Sequence, residues 1–145
     1  MIKLKAPPLI DKILDWRGTW LAARLAIVFV FLVSAFGHLS DFGAAVAEQV
    51  NYGLPAPSFM AALTVAVEIA GSLLVLTGRL VWLGAGMLGV FTAFGAVFAH
   101  PFWAIQGPAR LDALASFLEH VGLVGGLILV ALVARRLEYE EQKNV

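Results

Sequence analysis

Four long apolar segments alternate with shorter polar stretches along the chain. Each is close to the roughly 20 residues that a helix needs to cross a hydrocarbon core. Lipid offers the backbone no hydrogen-bond partner, so a helix is the favoured form of such a segment. The pattern predicts an all-α integral membrane four-helix bundle, with spans at about Thr19 to Gly37, Phe59 to Gly78, Leu80 to Ala99 and Ala113 to Ala134.

The segments that join the spans differ in length. Gly78 and Arg79 join the second and third spans directly, which predicts an antiparallel hairpin. The first loop, by contrast, contains Phe42, Val46 and Val50 at helical spacing. This spacing predicts a short interfacial helix in the first outer loop.

Positive charges are distributed unevenly between the two sides of the predicted bundle. The loops at about 38–58 and 100–112 carry only Arg110, so we expect them to face away from the cytoplasm and both termini to lie in it. The organisation is then a cytoplasmic N-terminal segment (1–18), a four-span membrane domain (19–134) and a charged cytoplasmic tail (135–145). The remaining charges used in this assignment are Lys3, Lys5, Lys12, Arg17, Arg79, Arg135, Arg136 and Lys143.

The composition also indicates lipid as the solvent of this chain. Apolar residues make up 61% of the sequence and charged residues 14%, and the mean hydropathy is +0.88. Soluble chains average about 45–50% apolar and about 25% charged residues. The net charge of zero excludes a strongly basic nucleic-acid binder. The absence of cysteine excludes disulfides, thiolate metal sites and a redox-active dithiol.

Ionisable residues interrupt three of the four apolar segments. From the helical rise, Glu119 and His120 lie roughly 10 Å below the outer surface, Glu68 roughly 14 Å and Arg24 roughly 20 Å. His38 and His100 fall at the outer ends of the first and third spans. Charged groups inside a membrane mark functional sites by default. These residues predict a polar pocket that opens away from the cytoplasm.

The estimated depths of Arg24 and Glu68 differ by roughly 6 Å, which a long arginine side chain can reach. Two interpretations of this pair remain open. A structural pair would lock the first span to the second and satisfy both charges. In the functional interpretation, Arg24 forms the floor of the pocket and Glu68 stays available as a proton carrier or ligand group.

The three histidines suggest two kinds of cofactor. His38, His100 and His120 are candidate ligands for a metal or haem, because neutral imidazole binds zinc, copper and iron. No two of them are spaced four residues apart on one helix. A quinone headgroup requires fewer groups, namely one or two hydrogen-bond donors and an apolar wall. Candidates for that wall are Phe36, Phe98, Phe102 and Trp103.

Small residues predict close helix packing. Gly84, Gly86 and Gly89 lie in the third span and Gly71 in the second, and Gly122 and Gly126 are four residues apart in the fourth. Such spacing lets helix backbones approach each other within a bilayer. Packing inside one chain is the favoured interpretation, and a seam between copies of a homo-oligomer is the alternative.

Several short motifs follow one another in order along the chain. They are Arg24 with Phe36-Gly37-His38-Leu39, Gly53-Leu54-Pro55, Glu68-Ile69-Ala70-Gly71, Leu76-Thr77-Gly78-Arg79, His100-Pro101-Phe102-Trp103, and Phe117-Leu118-Glu119-His120 with Gly125-Gly126. In this order and spacing they resemble the DoxX family of small four-helix membrane proteins, over about residues 20 to 134. The first span ends in His38, where many relatives have lysine.

The resemblance implies a multi-pass protein of the bacterial or archaeal cytoplasmic membrane. Relatives are associated with quinone-linked sulfur oxidation, as the small subunit of a thiosulfate:quinone oxidoreductase, and with oxidative-stress or quinone detoxification systems. By analogy, this chain would hold a quinone and work with a soluble or membrane redox partner. The positions that match the family motifs, and that the resemblance implies for cofactor binding, are Arg24, Glu68, His100, Trp103 and His120.

The sequence is therefore compatible with two functions from different classes. In a quinone-linked oxidoreductase subunit, His100 or His120 would hydrogen-bond a quinone carbonyl and Glu68 or Glu119 would relay a proton. The candidate catalytic residues are then Glu68, Glu119 and His120. The alternative is a non-catalytic membrane anchor, or a protein that binds a small ligand or metal. A transporter is a weaker third option, because the discontinuous helices expected of one are not evident.

Overall fold

The computed structural model describes residues 7–143, which form six α-helices and contain no β-strand. Four of the helices, α2, α4, α5 and α6, are long and apolar enough to cross a membrane. The prediction of an all-α fold with four candidate spans is confirmed. The helices are α1 (Pro8–Asp15), α2 (Arg17–Ser40), α3 (Phe42–Asn51), α4 (Pro57–Thr77), α5 (Val81–Ala99) and α6 (Ala109–Lys143).

The four long helices pack in the order α2, α4, α5, α6, and α6 returns to touch α2. The beginning of α2 meets the end of α4, the beginning of α5 and the second half of α6, and we call this the terminal end of the bundle. The other end carries His38, α3 and the segment 100–108, and we call it the loop end. The buried core lies towards the terminal end and comprises Val28, Phe31, Val75, Val81, Ala85, Leu88, Leu127, Val130 and Ala134.

The hairpin between α4 and α5 is as direct as its sequence predicts. Gly78 ends α4 with φ +76°, in the left-handed region that glycine adopts without strain. Further along, the two backbones approach each other closely at Gly71 and Gly84. A Cβ atom built on Gly84 would lie only 2.7 Å from the carbonyl oxygen of Gly71. At least this glycine pair serves packing inside one chain.

The outer surface of the long helices is apolar. Phe29, Val90 and Leu129 are 60–63% exposed, and many other large apolar side chains are similarly uncovered. In water, contiguous apolar surface of this extent would drive association. In lipid it is the surface that a spanning helix presents, so the exposure pattern agrees with a membrane location.

The short helix α3 confirms the helical pattern predicted in the first long loop. The side chain of Asp41 accepts a hydrogen bond from the backbone N–H of Ala44 at 2.9 Å, which is an N-cap interaction. Ala45 and Gln49 are buried, and α3 packs mainly against α4. The helix therefore lies on the bundle at the loop end. Its position relative to a membrane surface remains a prediction.

Two helical segments extend beyond the prediction. Helix α1 was not predicted, although Leu9, Ile10, Ile13 and Leu14 have the spacing of one apolar helix face. Helix α6 continues to Lys143, so the charged segment that begins at 135 prolongs the last span as a helix. Lys3 and Lys5, which contributed to the predicted orientation, lie outside the described residues.

Candidate functional site

A cavity of about 1010 Å³ lies between the helices at the loop end. Its walls are mainly apolar and come from α4 and α5, with Leu63, Met87 and Phe91 among the lining residues. Two groups of ionisable side chains also line it. One group lies on α2, α3 and α4, and the other at the end of α5 and on α6.

The first group is a chain of hydrogen-bonded side chains centred on His38. The Nδ1 atom of His38 lies 3.4 Å from Oε2 of Glu68, and its Nε2 atom lies 3.1 Å from Oε2 of Glu48. The hydroxyl of Tyr52 donates a hydrogen bond of 2.6 Å to Oε1 of Glu48. His38 therefore connects two carboxyl groups that are carried by different helices.

Burial increases along this chain of side chains. The Glu48 side chain is 41% exposed, that of His38 is 20% exposed and that of Glu68 is 2% exposed. Tyr52 lies at the C-terminal end of α3, four residues after Glu48. Burial, together with the hydrogen bond to Glu48 and the charge of that carboxylate, raises the pKa of Tyr52 above its ordinary value. The phenol therefore stays protonated and remains a donor to Glu48.

The second group contains the other two histidines. The ring centroids of His100 and His120 are 4.9 Å apart, with the planes tilted by 60°. Nδ1 of His120 lies 2.8 Å from the carbonyl oxygen of Ser116. A carbonyl oxygen only accepts, so Nδ1 carries a proton and donates it to this hydrogen bond. Desolvation by burial, and secondarily the charge of His120, lowers the pKa of His100, while Glu119 raises it in part.

Residues predicted as the aromatic wall have different positions in the structure. Phe98 lines the cavity, whereas Phe36 is 74% exposed. Phe102 and Trp103 pack edge to face, with ring centroids 5.1 Å apart, and both contact Phe117. These three rings form an aromatic cluster beside the start of α6 and are not among the lining residues of the cavity. Trp103, a candidate for cofactor binding, is thus placed outside the cavity wall.

The predicted pair between Arg24 and Glu68 is wrong. Nη1 of Arg24 donates a hydrogen bond of 3.2 Å to the carbonyl oxygen of Val75, near the end of α4. The guanidinium also lies over the ring of Trp20, 5.3 Å from its centroid. Arg24 is about 21 Å along α2 from His38, the residue that faces Glu68. The depth estimate assumed that all spans begin at one level, whereas Glu68 lies beside the last turns of α2.

Arg24 consequently is not the floor of the pocket, and it does not line the cavity. Its hydrogen bond instead satisfies one of the carbonyl groups left open at the C-terminus of α4. The predicted structural role, which was to lock α2 to α4, is retained with a different partner.

The three candidate metal ligands do not come together. His100 and His120 are neighbours, while His38 lies between Glu48 and Glu68. Within residues 7–143, no three His, Asp or Glu side chains are arranged to hold a metal ion. Beside the apolar wall of the cavity lie the two neighbouring imidazoles of His100 and His120.

Sequence reasoning missed Glu48 and Tyr52. Neither residue has a role in the polar pocket that the sequence predicts. Their spacing of four residues places both side chains on one face of α3, which was the available signal. The contact of Glu48 with His38 had no signal in the sequence, because it depends on how α3 folds back onto α2.

Comparison with known proteins places this site in a family context. The DoxX family model matches residues 19–101, which include α2 from Thr19 onward, all of α3 to α5, and the hydrogen-bonded chain centred on His38. The inner membrane protein YphA of Escherichia coli (strain K12) is 27% identical over 112 residues, which cover 77% of this chain and 80% of that protein. No solved structure matches. The family model covers more than half of the chain, so the chain belongs to the DoxX family.

Proposed function

We propose that this chain is a multi-pass protein of the bacterial inner membrane that binds a quinone in the loop-end cavity. In this role it serves as a quinone-linked membrane subunit and works with a soluble or membrane redox partner. The name of the relative YphA supports the location. The excess of positive charge near the terminal end supports an orientation with both termini in the cytoplasm and α3 at the opposite membrane surface.

The observation that carries the proposal is the composition of the cavity wall. A quinone headgroup is a flat, largely apolar ring with oxygen atoms at opposite edges. The cavity offers apolar side chains such as Leu63 and Phe91 between two polar groups, His38 with Glu68 on one side and His100 with His120 on the other. Its volume of about 1010 Å³ is ample for a headgroup and the first part of a lipid tail.

The protonation of the second group defines what each histidine offers to a ligand. Nδ1 of His120 donates a hydrogen bond to the backbone carbonyl oxygen of Ser116, so Nε2 accepts a hydrogen bond from a hydroxyl group when the ring carries one proton. His100 is kept neutral by its lowered pKa and has one donor and one acceptor nitrogen. A hydroxyl-bearing quinol and a carbonyl-bearing quinone are therefore both recognised by this pair.

When bound, a quinone supplies the capacity to take up two electrons and two protons. The chain supplies groups that hold and move protons, of which Glu68 is the most deeply buried. The apolar side chains of the cavity wall lower the local dielectric, which strengthens each hydrogen bond there. The electrons come from the redox partner.

Quinone binding is tested with decylubiquinone as the probe and the purified protein in detergent. A side chain at Gly95 would project towards His120, since even a Cβ there lies 3.8 Å from its Nε2 atom. We expect Gly95→Leu to obstruct the cavity and to lower the affinity at least about tenfold, the effect of losing about 1.4 kcal/mol. His120→Ala removes one hydrogen bond and is expected to lower the affinity by about a similar factor.

Gly122→Leu is the matched control, because Gly122 has open space around it on α6 and does not line the cavity. It should bind the probe as the unmodified protein does. Lack of binding by the unmodified protein, or equal binding by the Gly95 and Gly122 variants, would show that the cavity is not a quinone site.

A second candidate function is a non-catalytic membrane anchor. It is favoured by the way His38 ties α3 and α4 together through two carboxyl groups, which a purely structural role also explains. In that case Glu68→Gln lowers the thermal stability in detergent, and a partner co-purifies with the chain whether or not the histidines are present. Decylubiquinone has no affinity for an anchor of this kind.

A further inference from the structure

We propose that Glu48, His38 and Glu68 form a proton path that leads from the exposed loop end of the bundle to the buried inner part of the cavity. Tyr52 is a positioning residue that holds Glu48 in this path. The path extends the proposed function. It rests on that function only for the identity of the final proton acceptor, which is the bound quinone.

The geometry of the three groups is continuous. Both ring nitrogens of His38 face a carboxyl oxygen, at 3.1 Å on the Glu48 side and 3.4 Å on the Glu68 side. An imidazole that contacts one group through each nitrogen can receive a proton at one side and release another at the opposite side. His38 is the link through which the two carboxyl groups, on α3 and α4, are connected.

The exposure of the three side chains gives the path a direction. Glu48 is the accessible member, with 41% of its side chain exposed, and Glu68 is the buried member, with 2% exposed. All three side chains line the cavity, and Glu68, in the middle of α4, is the most deeply buried of them. A proton that enters from water at Glu48 therefore reaches the place where a ligand would need it.

The hydrogen bond from Tyr52 determines which carboxyl oxygen of Glu48 is available to His38. Its hydroxyl donates to Oε1 at 2.6 Å, which leaves Oε2 for His38. The N-cap at Asp41 and the buried side chains of Ala45 and Gln49 hold α3 in place. The carboxyl group of Glu48 is thus fixed from two sides.

The transfer is balanced in protons and involves no electrons. Glu48 takes a proton from water and passes it from Oε2 to Nε2 of His38. His38 releases the proton on Nδ1 to Oε2 of Glu68, so the N–H bond at Nδ1 breaks as the N–H bond at Nε2 forms. Rotation of the ring or a tautomer exchange returns His38 to its starting state. The net result is one proton moved from water to Glu68.

Few other charged groups face this path. Glu48 and Glu68 are the acidic partners of His38 from α3 and α4, and across the cavity lie His100, Glu119 and His120. Within residues 7–143, the ion-pair contacts are those of His38 with its two carboxyl groups. Arg24 lies towards the terminal end, bonded to Val75. Glu119 is the one other acidic group at the cavity and offers the alternative route.

The test follows the proton on Glu68 directly and needs no quinone. A carboxylic acid has a C=O stretching band in the infrared that shifts when its proton is exchanged for deuterium. The protein in detergent is transferred from H₂O to D₂O at a pH at which the band is present, and the Glu68→Gln variant identifies the band. The exchange rate then reports how readily Glu68 communicates with water.

We expect Glu48→Gln to slow this exchange by about a hundredfold, the lower range of what a positioned proton-transfer group contributes. Glu48→Asp keeps a carboxyl group and should restore most of the rate. Tyr52→Phe should slow the exchange by a smaller factor, because Glu48 remains but loses its fixed orientation. Glu119→Gln tests the alternative route along α6. Glu138→Gln, at an exposed position near the end of α6 that does not line the cavity, is the control and should leave the rate unchanged. Because Glu48 is partly exposed, its variants are expected to fold.

The proposal is overturned if the proton on Glu68 exchanges as fast in Glu48→Gln as in the unmodified protein, or if this exchange is slowed only in Glu119→Gln. It is equally overturned if the Glu68 band is absent at every pH at which the protein stays folded, since Glu68 would then never hold the proton. Binding of decylubiquinone is measured separately on the same variants. Normal exchange kinetics without quinone binding would contradict the proposed function and leave the proton path intact.

Discussion

The close approach of α4 and α5 at Gly84 leads to a prediction in which a single methyl group has a large effect. A Cβ atom at Gly84 would lie 2.7 Å from the carbonyl oxygen of Gly71, 2.8 Å from Cβ of Leu74 and 3.1 Å from the backbone nitrogen of Val75. These atoms belong to the backbone or are bonded directly to it, so none can rotate away. Gly84→Ala therefore forces the two helices apart.

The size of the effect follows from these distances. Ordinary contact with a Cβ atom begins at 3.4 Å, so the helices must separate by about 0.7 Å. A gap of 0.5–1 Å already forfeits about a quarter to a half of each dispersion contact across the interface. Overpacking of this kind costs about 1–3 kcal/mol. In a bilayer this loss is not offset by a hydrophobic driving force between helices.

Gly86 provides the matched control on the same helix. A Cβ atom there meets nothing within 4 Å. Gly86→Ala gains the higher helix propensity of alanine, about 1 kcal/mol, without a clash. We expect Gly84→Ala to lower the free energy of unfolding and Gly86→Ala to leave it unchanged or to raise it.

The assay is unfolding of the purified protein in mixed micelles by increasing SDS, followed by tryptophan fluorescence. Gly71→Ala gives a graded comparison, because its two nearest contacts, at 2.7 and 2.9 Å, are side-chain atoms of the buried Leu88 and its nearest backbone contact, the carbonyl oxygen of Gly84, is at 3.3 Å. Its destabilisation should be smaller than that of Gly84→Ala. Equal unfolding midpoints for the Gly84 and Gly86 variants would refute the packing argument.

Three further predictions concern backbone conformation and the Tyr52 hydrogen bond. Gly53→Ala places alanine at a positive φ of 69° and should lower the free energy of unfolding by about 1–2 kcal/mol. Gly78→Ala has φ +76°, and its new Cβ would also lie 2.8 Å from Nη1 of Arg24, which must then move. SDS unfolding should therefore show a larger decrease in the free energy of unfolding for Gly78→Ala than for Gly53→Ala. Tyr52→Phe removes a partly exposed hydrogen bond and should lower the free energy of unfolding by about 0.5–1.5 kcal/mol at neutral pH, measured in the same way. The pKa of Tyr52 is raised in the folded state, so its contribution is complete below the ordinary tyrosine pKa of about 10 and is lost as the pH rises above it. Stability measured against pH should therefore fall less steeply in the alkaline range for Tyr52→Phe than for the unmodified protein.

Much of the fold could be predicted because its signals are local in the sequence. A span is recognised by its length and apolar content, and the hairpin at Gly78 by the lack of residues between two spans. The helical pattern of α3 was visible in the spacing of Phe42, Val46 and Val50. Helix α1 has a similar pattern but lies in the segment 1–18, which was predicted only as a cytoplasmic N-terminal segment, so its apolar face was overlooked.

The candidate site was predicted less completely. The sequence identified Glu68, His38, His100 and His120 as polar groups of the loop end, and the structure has all four at the cavity. Their partners were not predicted. Glu68 faces His38 in place of Arg24, and His38 connects to Glu48, which had been assigned no role.

The sequence by itself therefore determined the all-α fold, the four candidate spans and the membership of the DoxX family, because each depends on residues that follow one another along the chain. Only the tertiary structure decided which ionisable groups meet. The sequence gives the depth of a residue only relative to the end of its own helix. It does not determine how far neighbouring helices are shifted or rotated relative to each other. Packing at contacts such as Gly71 with Gly84 sets that shift, and so places the imidazole of His38 between two carboxyl groups.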